Sequence, residues 1–217
     1  MNETTSHLIR FLQQENGRLR EETRLLREEN QSLVDYLRAL QDLYLAAQDI
    51  GSEDDLMRLL DGILRHAMRL AKANDGSVMM LDEDTGELVF AVVHGDIEGA
   101  LRGYRIRADT GIAGWVAAER QPVIANNARQ DRRFSDQVDE SFGFVTRSLV
   151  CVPMVARARL VGVIEVLNKQ NDAPFSDADV NLLLILGNVA ATALETIRVR
   201  IEMLEAEASL ADQMASI

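Results

Sequence analysis

Leucine recurs every seven residues at Leu12, Leu19, Leu26, Leu33 and Leu40, a spacing that restricts the first segment to a helix with one apolar seam. With these residues at the d positions of a heptad, Ile9, Asn16, Thr23, Asn30, Leu37 and Tyr44 fall at a. An a-position Asn satisfies its amide against the same residue of an in-register partner, so Asn16 and Asn30 select two parallel strands at some cost in stability. Glu15 and Glu22 stand at g, and Arg20 and Arg27, five residues on in the partner strand, stand at e with opposite charge. A parallel coiled coil over residues 1–50 is therefore expected, with a rod from Leu8 to Gln48 of about 60 Å at ~1.5 Å per residue. The competing reading is an isolated amphipathic helix packed on its own domain.

A leucine repeat also suggests a basic zipper, but residues 1–50 hold 6 basic against 9 acidic side chains and no basic helix precedes the seam. The whole chain carries 23 Lys+Arg against 35 Asp+Glu, a net charge of -12 that opposes nucleic acid and anionic membrane surfaces as partners. Cys151 is the single cysteine and has no intramolecular partner, which fits a reducing compartment; the cytoplasm is the expected location. The stretch MNETTSHLIR lacks the basic start and apolar run of a secretory signal. Val180 to Leu194 contains Asn181, Asn188 and Thr192 and falls short of the ~20 residues of a spanning helix, so it reads as a buried helix.

Between these ends the periodicity alternates between helix and strand. Ser52 caps a helix running to about Lys72, with Leu56, Leu59, Leu60, Ile63, Leu64 and Ala67 on one face. Ser77 to Leu81 and Leu88 to Val93 read as a hairpin, Tyr104 to Arg107 as a short strand, Ile112 to Glu119 as a helix, and Val123 to Ala125 as a brief strand. Residues 126–146 read as a long polar connection. Leu149 to Val155 and Leu160 to Leu167 are strands, and a last helix starts near Ser176 and runs to about Leu210. The class is α+β, a largely antiparallel sheet with helices on its faces. The expected domains are 1–50 (coiled coil), 51–197 (α+β domain) and 198–217 (helical extension).

Three runs carry a resemblance: Thr110-Gly111-Ile112-Ala113-Gly114-Trp115-Val116-Ala117, Cys151-Val152-Pro153-Met154, and Gly162 through Lys169. In order and spacing they resemble a GAF domain over residues 52–197, most closely the regulatory GAF domains of cyclic nucleotide phosphodiesterases. The resemblance implies sensing rather than catalysis, and the GAF fold. It also implies a clip in which Lys169, next to Asn168, pairs with Asp179 beyond Phe175 and pins the last helix; Val180 departs from the family motif, where Glu is expected. An exposed pair of this kind adds about 0–1 kcal/mol.

For the ligand, the resemblance implies that Ile112 and Ala113 wrap a phosphate and ribose with their backbone. It also implies that Glu165 lines the pocket with Ser77, His94, Ser135, Asp139 and Thr146, and makes a cyclic nucleotide one candidate for the small-molecule ligand, with two departures that count against cyclic GMP. Val93 replaces an aromatic that stacks on the base in a close relative, and Phe142 replaces a small hydroxyl residue; Phe142 either supplies stacking or plugs the cavity. From the residues alone, Gly111 and Gly114 open a helix whose free N–H groups suit an anion or merely close a turn. Glu165 lies in the apolar run Val161 to Leu167, where a carboxylate needs donors, a solvated face or an Arg.

Other chemistries find little support. One cysteine cannot resolve a sulfenic acid, Cys151 is followed by Val152 rather than the His of pigment-binding relatives, and His7, His66 and His94 have no metal-ligand spacing. The expected function is a non-enzymatic, ligand-responsive regulatory module that passes occupancy through dimeric helices to an output domain or partner; the alternative is a ligand-free dimerisation scaffold with a closed pocket. Leu182, Leu186, Val189 and Ala193 share a face of the last helix that is expected to pack on its dimer mate. Light scattering at micromolar concentration is expected to return twice the 24.2 kDa chain mass, and replacing Asn16 and Asn30 with Ile is expected to raise thermal stability while admitting higher oligomers. A monomer would remove the coiled coil.

Overall fold

The computed structural model describes residues 11–27, 30, 31, 34, 37, 41 and 52–215. The chain divides into two compact units, Met1–Gln41 and Asp42–Ile217. In the first, α1 is helical over 11–27 and at each later described position to 41. Leu12, Leu19, Leu26 and Leu37 stay about half exposed along it, at 50%, 49%, 53% and 56%, as the open seam of a single strand would be. Glu15 and Glu21 are engaged within the helix by Arg18 and Arg24. Leu33, Leu40, Ile9 and Tyr44 lie outside the described residues.

The second unit is built on a six-stranded antiparallel sheet in the order β3-β2-β1-β6-β5-β4. Helix α2 (Glu53–Ala71) starts where the Ser52 hydroxyl accepts the Asp55 N–H at 3.2 Å and ends at Lys72 in the left-handed region. It leads into β1 (Ala73–Asp82) and β2 (Glu87–His94). A one-turn α3 (Glu98–Leu101) and β3 (Arg105–Arg107) precede α4 (Gly111–Glu119) and β4 (Val123–Ala125). Helix α5 (Gln137–Phe142) precedes the hairpin of β5 (Leu149–Ala156) and β6 (Arg159–Lys169), and α6 (Asp177–Ala215) closes the chain.

Strand alternation divides the core into two layers. Val78, Val152, Ile164 and Val166 turn toward α2 and α6, where Leu60, Ile63, Leu64, Leu183 and Leu186 are fully buried. Gly187 brings α6 close enough that an added Cβ would lie 3.4–3.6 Å from Ile164, Val152 and Met154. Met79, Cys151 and Val163 face the opposite way, packing with Ile112, Ala113, Val116 and Ala117 of α4. That second layer contains the cavity.

Three expectations change. Residues 126–146 are not a plain connection: they hold a 3₁₀ turn at Ala128–Gln130 and α5, elements too short for apolar periodicity to announce. The apolar part of α6 extends over Asp177–Met203, 27 residues, long and apolar enough by length and composition to cross a membrane; burial of Leu183, Leu186, Ala190 and Ala193 against the fold accounts for its character. The same burial overturns the expected dimer stripe, because Leu186 and Ala193 face the domain's own core. The stripe left uncovered is Leu182, Ile185, Val189, Thr192, Thr196, Val199 and Met203, again in heptad spacing. Helix α6 crosses residue 197 without a break, in keeping with the single helix expected from near Ser176 to about Leu210.

The β5–β6 hairpin turns on Arg157 and Ala158, both with positive φ, 47° and 65°, as a two-residue primed turn requires and as Gly adopts more readily than Ala. Ala158→Gly is expected to raise the urea midpoint by the equivalent of about 0.5–1 kcal/mol.

Candidate functional site

Register across the sheet sets one row of side chains: Val93 on β2, Ser77 on β1, Glu165 on β6, Cys151 on β5 and Val123 on β4. All lie on the α4 side. Between this row, the first turn of α4 and the segment joining β4 to β5 is a cavity with about 90 Å³ of room for water centres, several times the ~10–15 Å³ one water needs. Its wall is mostly apolar, with Met79, Phe90, Val93, Ile106, Phe134 and Phe144 among the lining residues.

The cavity gathers eight of the nine ligand-site residues expected from the sequence: Ser77, His94, Ile112, Ala113, Ser135, Asp139, Thr146 and Glu165. Phe142 is the exception and is corrected. It packs edge-to-face on Tyr104, with ring centroids 5.0 Å apart, and is not among the residues that line the cavity. Gly143, at φ +66°, reverses the chain just after α5, and Phe144 takes the place on the wall.

Glu165 is the least satisfied polar group in the site. Ser77 Oγ donates to its Oε1 at 2.9 Å, and its other oxygen accepts no hydrogen bond from any described residue. Burial raises the carboxyl from 4.5 to about 7; the Ser77 bond opposes the rise and the Asp139 charge adds to it. Glu165 can thus accept or donate near neutrality. Cys151 beside it is fully buried, and burial with the Glu165 charge pushes its thiol well up, an environment that disfavours the thiolate.

The remaining polar groups are engaged by the protein. Asp139 accepts the Thr146 hydroxyl at 2.8 Å, the Thr146 N–H at 2.9 Å and Arg129 at 3.1 Å. His94 places Nε2 2.8 Å from Asp61 and Nδ1 3.3 Å from Glu98. Burial by itself would raise the Asp61 carboxyl, but Arg65 and His94 together hold it below its ordinary range. Ser135 Oγ accepts the Gln137 N–H at 3.4 Å.

Helix α4 opens on the cavity with no side-chain cap from Thr110, so the N–H groups of its first turn lack helical partners. Both glycines have backbone reasons: Gly111 has φ +68°, and a Cβ on Gly114 would sit 2.6 Å from the Asp109 carbonyl carbon.

Asp75 was not anticipated. It lies on β1 at 8% exposure, lines the cavity, and accepts Asn168 Nδ2 at 3.0 Å; burial raises its carboxyl against that bond. In sequence, Asn74-Asp75-Gly76 looks like a strand breaker, and its one hint is a polar group at the start of an apolar run.

The clip is present. Lys169 Nζ donates to Asp179 Oδ2 at 2.5 Å and lies 5.1 Å from the centre of the Phe175 ring. The same carboxylate oxygen accepts Ser176 N and Oγ at 2.7 and 2.9 Å. Lys169 and Asp179 are only 14% and 9% exposed, so the exposed-pair energy does not apply; removing one partner from such a pair costs about 3–5 kcal/mol. Asn168, at φ 55°, holds Arg147 N and Val145 O with its amide.

A carboxyl raised in the folded state binds its proton more tightly there than when unfolded, so its contribution favours folding below about pH 4.5 and is lost as pH rises through about 7. Glu165→Gln is expected to leave stability unchanged near pH 4 and to increase it by about 3 kcal/mol near pH 8.5, read from urea unfolding at both values. Equal effects at both would mean that the carboxyl titrates in the folded protein as it does in the unfolded chain, and would remove the raised Glu165 from the cavity.

Residues 55–194 match the model of the GAF domain. A probable 3′,5′-cyclic phosphodiesterase, pde-5, of Caenorhabditis elegans is 28% identical over 141 residues, 61% of this chain and 19% of that protein. The chain therefore spans about a fifth of the length of that curated relative. Among solved structures, the GAF domain of a phosphoenolpyruvate-protein phosphotransferase from Coxiella burnetii superimposes with a TM-score of 0.67 at 15% identity, over 77% of this chain and 96% of that one. A free methionine-R-sulfoxide reductase from Neisseria meningitidis, in complex with its substrate, gives 0.61 at 19% identity, over 76% and 91%. At such identities the likeness is one of fold. The family model covers well over half the chain: the chain belongs to the GAF domain family.

Proposed function

We propose that the protein is a ligand-responsive regulatory module, in which the cavity takes up a small molecule and occupancy is passed through the helices of a homodimer to an output domain or partner. The observation that carries this reading is the free oxygen of Glu165, a buried acceptor facing a cavity whose other carboxylates are engaged by the protein. A ligand N–H would complete its bonding. A cyclic nucleotide is the ligand to test first: the similar Caenorhabditis elegans protein is a probable 3′,5′-cyclic phosphodiesterase, and the uncapped first turn of α4 offers N–H groups to a phosphate. The reading includes no catalytic step, a cytoplasmic location, and neither nucleic acid nor membrane as partner, in keeping with the charge of -12. The alternative, a ligand-free scaffold whose pocket is closed by side chains such as Phe142, draws less support, since Phe142 packs on Tyr104 and does not line the cavity.

Transmission would run from β6 into α6. Glu165 is followed within the same strand by Lys169, which holds Asp179 in the first turn of α6. The uncovered stripe from Leu182 to Met203 would face the dimer mate, and two packings of such an interface differ by a few kcal/mol, a gap that a ligand binding them unequally can bias.

Cyclic GMP and cyclic AMP, then a wider set of nucleotides and metabolites, are expected to include a compound that raises the melting temperature. Glu165→Ala is expected to weaken that compound by about 1–3 kcal/mol in calorimetry. A disulfide engineered at Met203 between protomers should shift its affinity in return. Unchanged affinity in the crosslinked dimer would remove α6 as the route.

A further inference from the structure

The sheet and α4 form one side of the cavity, and the segment between β4 and β5 forms the other with Phe134, Ser135, Val138, Asp139, Phe144 and Thr146. This segment, 126–148, folds on itself: Asp139 holds Thr146 through two bonds, and Ala128 N donates to Arg147 O. Its two ends are fastened to one short stretch of chain. At the first end, Asn126 Oδ1 accepts Phe175 N at 2.7 Å and Asn126 Nδ2 donates to Phe175 O at 3.1 Å, a two-point grip on a residue 49 positions away. At the second, Asn168 Oδ1 accepts Arg147 N at 2.9 Å and Asn168 Nδ2 donates to Val145 O at 3.1 Å. Arg147 also pairs with Asp172 at 3.3 Å. Asn168 is the penultimate residue of β6, and Asp172 and Phe175 belong to the link from β6 to α6 that follows it.

We propose that residues 126–148 are a lid over the cavity whose position is coupled to the start of α6 by two positioning residues, Asn126 and Asn168. A lid gripped at both ends by this link cannot lift without releasing or carrying it. The link in turn sets where α6 begins, through Phe175 and the Ser176–Asp179 contacts. Asn168 reaches the cavity itself, because its Nδ2 also donates to Asp75, a residue of the cavity wall. A molecule that draws on Asp75 therefore competes for the amide that fastens the lid. Asn126 is outside the Asn168 to Asp179 clip and works on the opposite end of the same segment.

This coupling deepens the regulatory reading, but it is a property of the ligand-free protein and can fail without it. Lid and helix start then belong to one cooperative opening unit, and loosening either grip speeds exchange in both. The test is hydrogen–deuterium exchange on the full chain without ligand. Asn126→Ala is expected to speed exchange about tenfold at amides of 128–147 and, by the same factor, at those of 176–182. Amides of β1 and β2 should keep their wild-type rates. Asn126→Asp retains the acceptor for the Phe175 N–H and loses the donor, so it should give a smaller acceleration in the same two segments; it also serves if the alanine variant does not fold. Acceleration confined to the lid, or spread evenly through the domain in both variants, would overturn the coupling.

Discussion

The pairing of β1 with β6 fixes the positions of nearly everything else in the α+β unit. Gly162 makes it possible: a Cβ there would lie 2.1 Å from the Met79 carbonyl oxygen, so the two strands meet in this register only with glycine at 162. From that register follow Ser77 opposite Glu165, Asp75 opposite Leu167 and Ala73 opposite Lys169. A slip of one residue would exchange the faces of β6. Glu165 would then enter the layer of Leu60, Ile63 and Leu183, and Ile164 would enter the cavity. The cavity wall and the clip are thus two readouts of one strand alignment.

Keeping Glu165 in the middle of a sheet is unfavourable, and the surroundings do little to relieve it. One hydroxyl serves its carboxyl, the neighbouring Asp139 charge works against ionisation, and no Arg or Lys among the described residues pairs with it. An apolar residue of similar size would make a more stable core. Asp139 shows the contrast: equally buried, it is bonded on both oxygens and holds the lid in shape. These two carboxyls of the cavity therefore differ: Asp139 is bonded on both oxygens, and Glu165 keeps one oxygen without a hydrogen bond from any described residue.

What could be read from the sequence follows how local its cause is. The hairpins, α2 and α4 were legible because side-chain periodicity follows backbone geometry within a few residues. Glu165 stood out as one charge in an apolar run. The shape of residues 126–146 was hidden, since α5 and its turns depend on Asp139 reaching Thr146 and on Asn126 reaching Phe175, pairings that no local pattern encodes. Asp75 was passed over because its neighbours suggest a turn, and its strand position relies on Asn168, 93 residues away. Phe142 was misplaced by a match of position alone, whereas the left-handed turn at Gly143 decides which ring lines the cavity. On α6 two apolar stripes run side by side, and only the packing of Gly187 on β5 and β6 shows which one is core.

Helix α6 is continuous from Asp177 to Ala215, with no proline or glycine after Gly187. An unhinged helix carries rotation as faithfully as displacement. A turn imposed at Asp179 reappears at Met203, about 36 Å farther along at ~1.5 Å per residue. Each residue added to or removed from such a rod re-aims whatever follows by about 100°. If the proposed coupling holds, any element continuous with α6 would receive the state of the cavity as an orientation about a common axis as well as a displacement.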